Sequence, residues 1–377
     1  RADLSLIAAP QVGTPPTDEG EPSLCVFQTR ERTPYFFDPY HGDVGHILVM
    51  GNSGSGKSYT VSFLTLSAQR YEPFTLIFDL GGSYESLVHY FGGTHMRVGQ
   101  KDSRLKVNPF SMPPTSENLQ AITQLVCVLL ETGEKLDAAA VQELYEHIQN
   151  IYELEPTQRR LSTLAKMLRR QQAIHLSRWL EGGQYGYLFD NAEDNLTFAR
   201  VQAFDFQAMD RTPDLLEPLL FYILHRARQS VEDPSRRLQR KYLVIDEAWR
   251  FFRNPTIRDY IAEAIKTFRK WNATVILATQ SSDDLLRSEL FPIVAENIPT
   301  KLFLANPGMD QASYRSLFQL NETETELIAG IQPKRELLMK RPGSSRVLTL
   351  ELDPFLHRLC ANLAAPPPQS ENPIETN

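Results

Sequence analysis

Lys57 and Ser58 close an eight-residue stretch, GNSGSGKS, whose spacing suits it to hold a polyphosphate. The pattern G-x-x-x-x-G-K-[ST] is filled at each fixed position by Gly51, Gly56, Lys57 and Ser58. Asn52, Ser53, Gly54 and Ser55 lie between them. Glycines at 51, 54 and 56 let the backbone bend and approach a ligand closely. The free N–H groups and the positive end of a following helix then favour an anion. Lys57 would reach the β- and γ-phosphates of ATP, the Ser58 hydroxyl would ligate Mg²⁺, and the backbone on to Tyr59 would line the rest of the cradle. A second stretch supplies the missing acids. Lys241-Tyr-Leu-Val-Ile-Asp-Glu247 is an apolar run that ends in two carboxylates. Asp246 would hold Mg²⁺ through its water shell, and Glu247 would polarise the water that attacks the γ-phosphate.

Three further positions have chemistry open to them. Gln280 ends the run Thr274-Val-Ile-Leu-Ala-Thr-Gln280, where an amide can sense the γ-phosphate and help place the water. Asp79 ends Phe74-Thr-Leu-Ile-Phe-Asp79, so it either faces the same site or caps the next helix. Lys266, Arg269 and Lys270 precede the Gln280 run. They are either a solvated basic face or the source of an arginine finger, Arg269, reaching a neighbouring subunit's ATP.

The elements that must position these groups can be read from periodicity. His46-Ile-Leu-Val-Met50 has the look of a buried strand, and 59–69 of a helix with Val61, Leu64 and Ala68 on one stripe. Leu24–Phe27 and Pro34–Phe37 flank a polar turn and predict a hairpin. From Ser116 to about Leu180 the apolar residues fall at helical spacing. Leu119, Ile122, Leu125, Val126, Leu129 and Leu130 make one stripe. Val141, Leu144, Tyr145, Ile148 and Tyr152 make a second, Leu161 to Leu168 a third, and Ile174 to Leu180 a fourth. The pairs Arg159-Arg160 and Arg169-Arg170 read as solvated faces. Strand-like runs return at 200–206, 242–245, 274–278, 301–305, 336–340 and 346–352, with helical patterns between several of them, as in parallel βαβ units. The last two predict an edge hairpin across Arg341-Pro-Gly-Ser-Ser345. An α/β core interrupted by a small helical bundle follows. The expected divisions are a loose lead-in at 1–22, core at 23–113, helical insertion at 114–198, core again at 199–357, and a tail at 358–377, disordered at its end.

Composition narrows the class. Length 377, with 42% hydrophobic and 23% charged residues, suits a soluble globular chain of two to three domain-sized units. A formal charge of −7 gives no global basic field to draw nucleic acid, although a local groove stays open. Cys25, Cys127 and Cys360 lack metal-ligand spacing and point to a reducing compartment. No apolar run approaches the ~18 residues of a membrane span. A first residue of Arg1 rather than Met suggests a piece of a longer protein.

The Lys241–Glu247 run resembles the Walker B element of P-loop ATPases. Together with Ala248-Trp249 (IDEAW), FRKWNATVILATQS from Phe268, FDLGGSY from Phe78, NPF at Asn108, YGYLFDN from Tyr185, ENIPTKLFLANP from Glu296 and KRELLMKRP from Lys334, it resembles a family. That family is the large cytoplasmic ATPase of VirB-type type IV secretion systems, the TraC/TrbE-like group, over about 24–353. The resemblance implies a RecA-like core with a mostly parallel sheet and an inserted all-helical subdomain. It implies ATP hydrolysis with Mg²⁺ by Gly51–Ser58, Asp246, Glu247 and Gln280, with Arg269 or its rival Arg335 as the finger. It further implies self-association as a hexamer. The expected place is the bacterial cytoplasm against the inner membrane, among other secretion components at the base of the channel, where the motor powers channel or pilus assembly and substrate transfer. A hexameric DNA translocase or coupling protein of the FtsK/TraD type shares the core and the Asp–Glu pair. A non-enzymatic scaffold ordered by ATP is a third reading, against which Lys57, Glu247 and Gln280 stand.

Overall fold

Short apolar runs bounded by turns become strands here, and runs at helical spacing become helices. The computed structural model describes residues 23–40, 43–99, 105–130, 136–248, 255–280, 285 and 288–363, apart from the side chains at 210, 211 and 256. The lead-in at 1–22, Trp249, Ser281 and the tail from 364 lie outside the described residues. In chain order, the hairpin β1 (Cys25–Thr29) and β2 (Pro34–Phe37) comes first. Then follow β3 (Ile47–Met50), α1 (Lys57–Ala68), β4 (Phe74–Asp79), α2 (Glu85–Tyr90) and β5 (Thr94–Arg97). A helical stretch holds α3 (Ser116–Leu130), α4 (Ala138–Ile151), α5 (Leu161–Ala165), α6 (Arg170–Leu176) and α7 (Gly186–Phe189). The chain continues as β6 (Val201–Asp205), α8 (Pro213–Val231), β7 (Lys241–Ile245), α9 (Pro255–Thr267) and β8 (Ala273–Thr279). It closes with α10 (Phe291–Asn297), β9 (Thr300–Leu304), α11 (Gln311–Phe318), α12 (Glu322–Gly330), β10 (Glu336–Arg341), β11 (Ser344–Thr349) and α13 (Pro354–Cys360).

The strands form one sheet of eleven, in the order β2-β1-β11-β10-β9-β3-β8-β7-β4-β6-β5 among the described residues. From β9 through β6 the pairs are parallel. Every residue of β3, β4, β6, β7, β8 and β9 is buried. Parallel strands covered on both faces need such continuous apolar runs, and the sequence supplies them. From β9 to β2 the pairing is antiparallel. The last hairpin forms as expected, but it is not an edge. β1 pairs with the outer side of β11, with Gln28 opposite Thr349, and the sheet ends instead at β2 and β5. The run of β11 carries no mark of which strand will come to lie beside it. Val61, Leu64 and Ala68 of α1, all fully buried, belong to the same core cluster as Val49, Ile276 and Leu302 of the sheet.

The chain divides into two units. One comprises 1–96, 199–205 and 231–377, the other 97–198 and 206–230. The helical unit is thus larger than the 114–198 expected. It begins at Arg97, and it takes in most of α8, whose apolar face is indistinguishable by periodicity from that of a core helix. The first stripe is buried throughout α3, from Leu119 to Leu130, and Leu144, Ile148, Leu161 and Leu164 are buried as well. Ile174 departs from expectation. It is 60% exposed, while Leu176 and Trp179 turn inward, because α6 is short and gives way to a tighter turn at Ser177–Trp179. Arg159 is no solvated cation either. Its guanidinium donates to Leu154 O at 2.9 Å and Tyr152 O at 3.0 Å and lies over the Tyr152 ring. The tail expected from 358 is still helix there. Asp353 caps α13 by accepting from Phe355 N and Leu356 N, and Leu359 and Cys360 are buried. Among the described residues no helix is long and apolar enough to cross a membrane.

Candidate active site

Parallel register brings the C-terminal ends of the central strands to one edge of the sheet. Met50 of β3 lies opposite Thr279 of β8 on one side and Phe303 of β9 on the other. One further strand away, β7 ends just before Asp246. The glycine loop bridges β3 and α1. Gly54 and Gly56 adopt φ of 75° and 105°, which L side chains rarely reach. Gly56 is also crowded, since a Cβ there would sit 3.2 Å from the Cα of Lys334. That contact is part of a clamp: Lys334 N donates to Ser55 O at 2.9 Å. Ser55 N donates in turn to Asn52 O at 3.1 Å, while Ser53 and Gly54 form the exposed tip.

Lys57 is 5% exposed, and its ammonium donates to Asn52 O at 3.3 Å. It stands 3.9 Å from Glu247 Oε1. Burial pushes the Lys57 pKa down, and the charges of Glu247 and Asp246 oppose that shift. An ammonium with three donors and such sparse company fits an anion. Ser55 Oγ and Thr279 Oγ1 are buried with no hydrogen-bond partner among the described residues, so the loop's surroundings hold unspent polar capacity.

Asp246 is 1% exposed. Its Oδ2 accepts from Ser58 Oγ at 2.7 Å and from the Tyr84 hydroxyl at 2.8 Å, and its Oδ1 accepts from Glu247 N at 2.9 Å. A hydroxyl and a carboxylate this close are the hard oxygen donors that Mg²⁺ takes. Glu247 has φ of 53°, a left-handed conformation that costs a non-glycine residue about 1 kcal/mol or more. Gln280 follows β8, the strand between β3 and β7, and is half-buried.

Asp79 does not cap α2, whose N-cap is Tyr84 with no side-chain cap bond; it braces the turn that leads to it. Its oxygens accept from Gly81 N at 2.7 Å and from Ser83 N, which fixes the turn into α2. Its carboxyl is pushed up to about 7 by burial and, next, by the charge of Asp246. Tyr84 escaped residue-level reading. The signal lay in FDLGGSY, where Tyr84 follows Asp79 by five residues on the same turn. Arg269 is not brought to the acids of its own chain. It is exposed in the one-turn helix Phe268–Trp271, at the N-terminal end of β8, about 20 Å of strand away from Gln280. Arg335 lies on the loop's own side, paired with Glu351 in a cavity that Gly56 and Ser58 also line.

A glycine loop on β3 and an Asp–Glu pair on β7, with a single strand between them, define a RecA-like P-loop NTPase. The chain belongs to the TraG P-loop domain family, which matches residues 43–336. Within it the chain is similar to VirB4- and TrbE-type proteins. The type IV secretion system protein virB4 of Bartonella henselae is 29% identical over 340 residues, covering 88% of this chain and 42% of that protein. The conjugal transfer protein TrbE of Rhizobium radiobacter is 27% identical, covering 85% and 40%. The chain thus spans about two fifths of the length of these relatives. Among solved structures, VirB4 of Thermoanaerobacter pseudethanolicus shares the fold, with a TM-score of 0.74 at 19% identity over 89% of this chain and 98% of that one. The plasmid coupling protein TrwB, in complex with ADP and Mg²⁺, follows at 0.58 and 15% identity over 84% and 87%.

Proposed function

We propose that this chain is the ATP-hydrolysing part of a type IV secretion or conjugation motor. The observation that carries this reading is Lys57 opposed to Glu247 at 3.9 Å beside an Asp246–Ser58 contact of 2.7 Å. Lys57 binds phosphate oxygens of ATP, and Ser58 and Asp246 hold Mg²⁺. When bound there, the ion would supply neutralisation of the phosphate charge. Glu247 orients the attacking water and takes its proton, while Gln280 keeps that water in line. Tyr84 and Ser58 hold the Asp246 carboxylate in place. In the whole protein this unit would work as a ring of copies, most simply a hexamer, at the cytoplasmic face of the inner membrane with other secretion components. Since Arg269 stands far from its own chain's acids, it is the cation we assign to a neighbour's ATP, and Arg335 is the alternative.

One experiment tests the site and the assembly together. Glu247→Gln should lower ATP turnover by about 10²- to 10⁴-fold while holding ATP within a few-fold of normal affinity. Arg269→Ala should do the same only in assembled protein. Mixing the two variants should restore part of the turnover, because each retains one intact half of a composite site. Normal turnover by Glu247→Gln would sink the hydrolytic assignment. No recovery in confirmed mixed oligomers would remove Arg269 as a finger in trans.

A further inference from the structure

A polyphosphate seated on the glycine loop has two ends. The γ end meets Lys57 and Glu247. The α end runs along the loop and the first turn of α1, past Ser58 and Tyr59, since that is where the loop cradles the inner phosphates. A cavity of about 870 Å³ opens at this point, with Gly56, Ser58 and Tyr59 in its wall. Lys57, Asp246, Glu247 and Gln280 are not among the described residues that line it. Its size falls within the range of small-molecule sites.

The far wall is built by the C-terminal part of the chain. The Tyr59 and His357 rings lie 5.5 Å apart, and the Tyr59 hydroxyl bonds His357 Nδ1 at 3.1 Å. Leu350 and Leu352 add apolar surface, and Arg335 and Glu351, paired with each other, add polar groups. The wall is fixed in advance. Asn362, just past α13, has φ of 54°; its Nδ2 donates to Gly82 O at 2.8 Å, and its Oδ1 accepts from Ser86 N at 2.9 Å. An aromatic face, some apolar lining and a few convergent polar groups are what a heterocyclic base on a sugar needs.

We propose that this cavity takes the nucleoside end of the bound nucleotide, with the Tyr59–His357 pair as the aromatic wall for its base. The inference rests on the nucleotide reading given above. It makes α13, which lies beyond the matched 43–336, part of the binding site.

Calorimetric titration of the full chain with three probes, ATP, ADP and inorganic tripolyphosphate, each with Mg²⁺, tests it. His357→Ala should weaken ATP and ADP by about 10-fold or more, the loss typical of a base–aromatic stack. The same variant should hold tripolyphosphate within about 2-fold, which also reports that the loop is still folded. His357→Phe should bring the ATP and ADP affinities back. Equal losses for all three probes, no loss for any, or no recovery with Phe would overturn the assignment. Unmodified protein that binds tripolyphosphate as tightly as ATP would overturn it while leaving the phosphate site standing. Protein that binds neither would overturn both.

Discussion

The helical unit and the α/β unit both bury carboxylates, but they surround them differently. In the helical unit Asp190 accepts Ser162 N and Glu181 N, each at 3.0 Å. Asp194 accepts Asn108 N at 3.0 Å and Leu196 N at 2.8 Å, and pairs with the Arg226 guanidinium at 3.3 Å. Asn108 donates to Arg159 O and Ala192 O and accepts from Phe110 N. Donors from within the unit meet both of these carboxylates, and what they produce is order in the loops between helices. In the α/β unit burial and the charge of Asp246 push the Asp79 carboxyl up, Lys57 is buried with donors to spare, and the Ser55 and Thr279 hydroxyls beside the loop have no hydrogen-bond partner among the described residues. That network is incomplete without an outside partner. Burial of charge therefore does not by itself mark a site; failure of the charges to cancel does.

Acid sharpens the comparison most. Two imidazoles among the described residues, His46 in the α/β unit and His225 in the helical one, are both pushed down to about 4 by burial. The unfolded chain takes up a proton on each near the usual 6.5, before the folded chain does. Stability is thus complete above about pH 6.5 and falls as pH drops toward 4, by about 3 kcal/mol per histidine. His46→Gln and His225→Gln should each flatten the stability curve in that window, followed by denaturant melts at pH 4.5 and 7. An unchanged slope in either variant would show that its imidazole already charges in the fold.

Asn108→Ala comes next. It strands two carbonyls and one N–H, and should cost about 2–3 kcal/mol in thermal or urea melts with ATP affinity unchanged. Loss of ATP binding at full stability would break the distinction between a network for order and a network for ligands. The smallest effect is expected from Tyr84→Phe. Removing a donor from Asp246 should weaken the Mg²⁺ dependence of ATP turnover by about 10-fold, the usual loss when a group supporting a metal ligand is cut away. An unshifted Mg²⁺ titration would make Tyr84 a packing residue.

Much of the site is legible in the sequence because its groups sit at strand ends. An apolar run followed by Gly51, by Asp246-Glu247 or by Gln280 announces both the strand and the polar cargo at its tip. The contacts that Tyr84 and Lys334 make are not announced. One reaches Asp246 across 162 positions and the other reaches Ser55 from the turn just ahead of β10, and no local pattern encodes such distances. The sheet order is hidden for the same reason. β1 is short and half-exposed whether or not β11 joins it, and α8 shows the same apolar stripe whichever unit takes it in. Left-handed φ at Gly54 and Gly56 could be foreseen from their type, but at Glu247 it could not.

The pairing of β3 sets a timetable. Both of its neighbours, β8 and β9, come late in the chain, and Met50 meets Thr279 only after 279 − 50 = 229 further residues have been made. At about 5–20 residues per second that is a wait of roughly 11 to 46 s on the ribosome. During this time the loop has been synthesised but has neither flanking strand to hold it nor Lys334 to clamp it. The glycine stretch is written early in the chain and becomes a binding site almost last, so a half-made chain has nothing with which to grip a nucleotide.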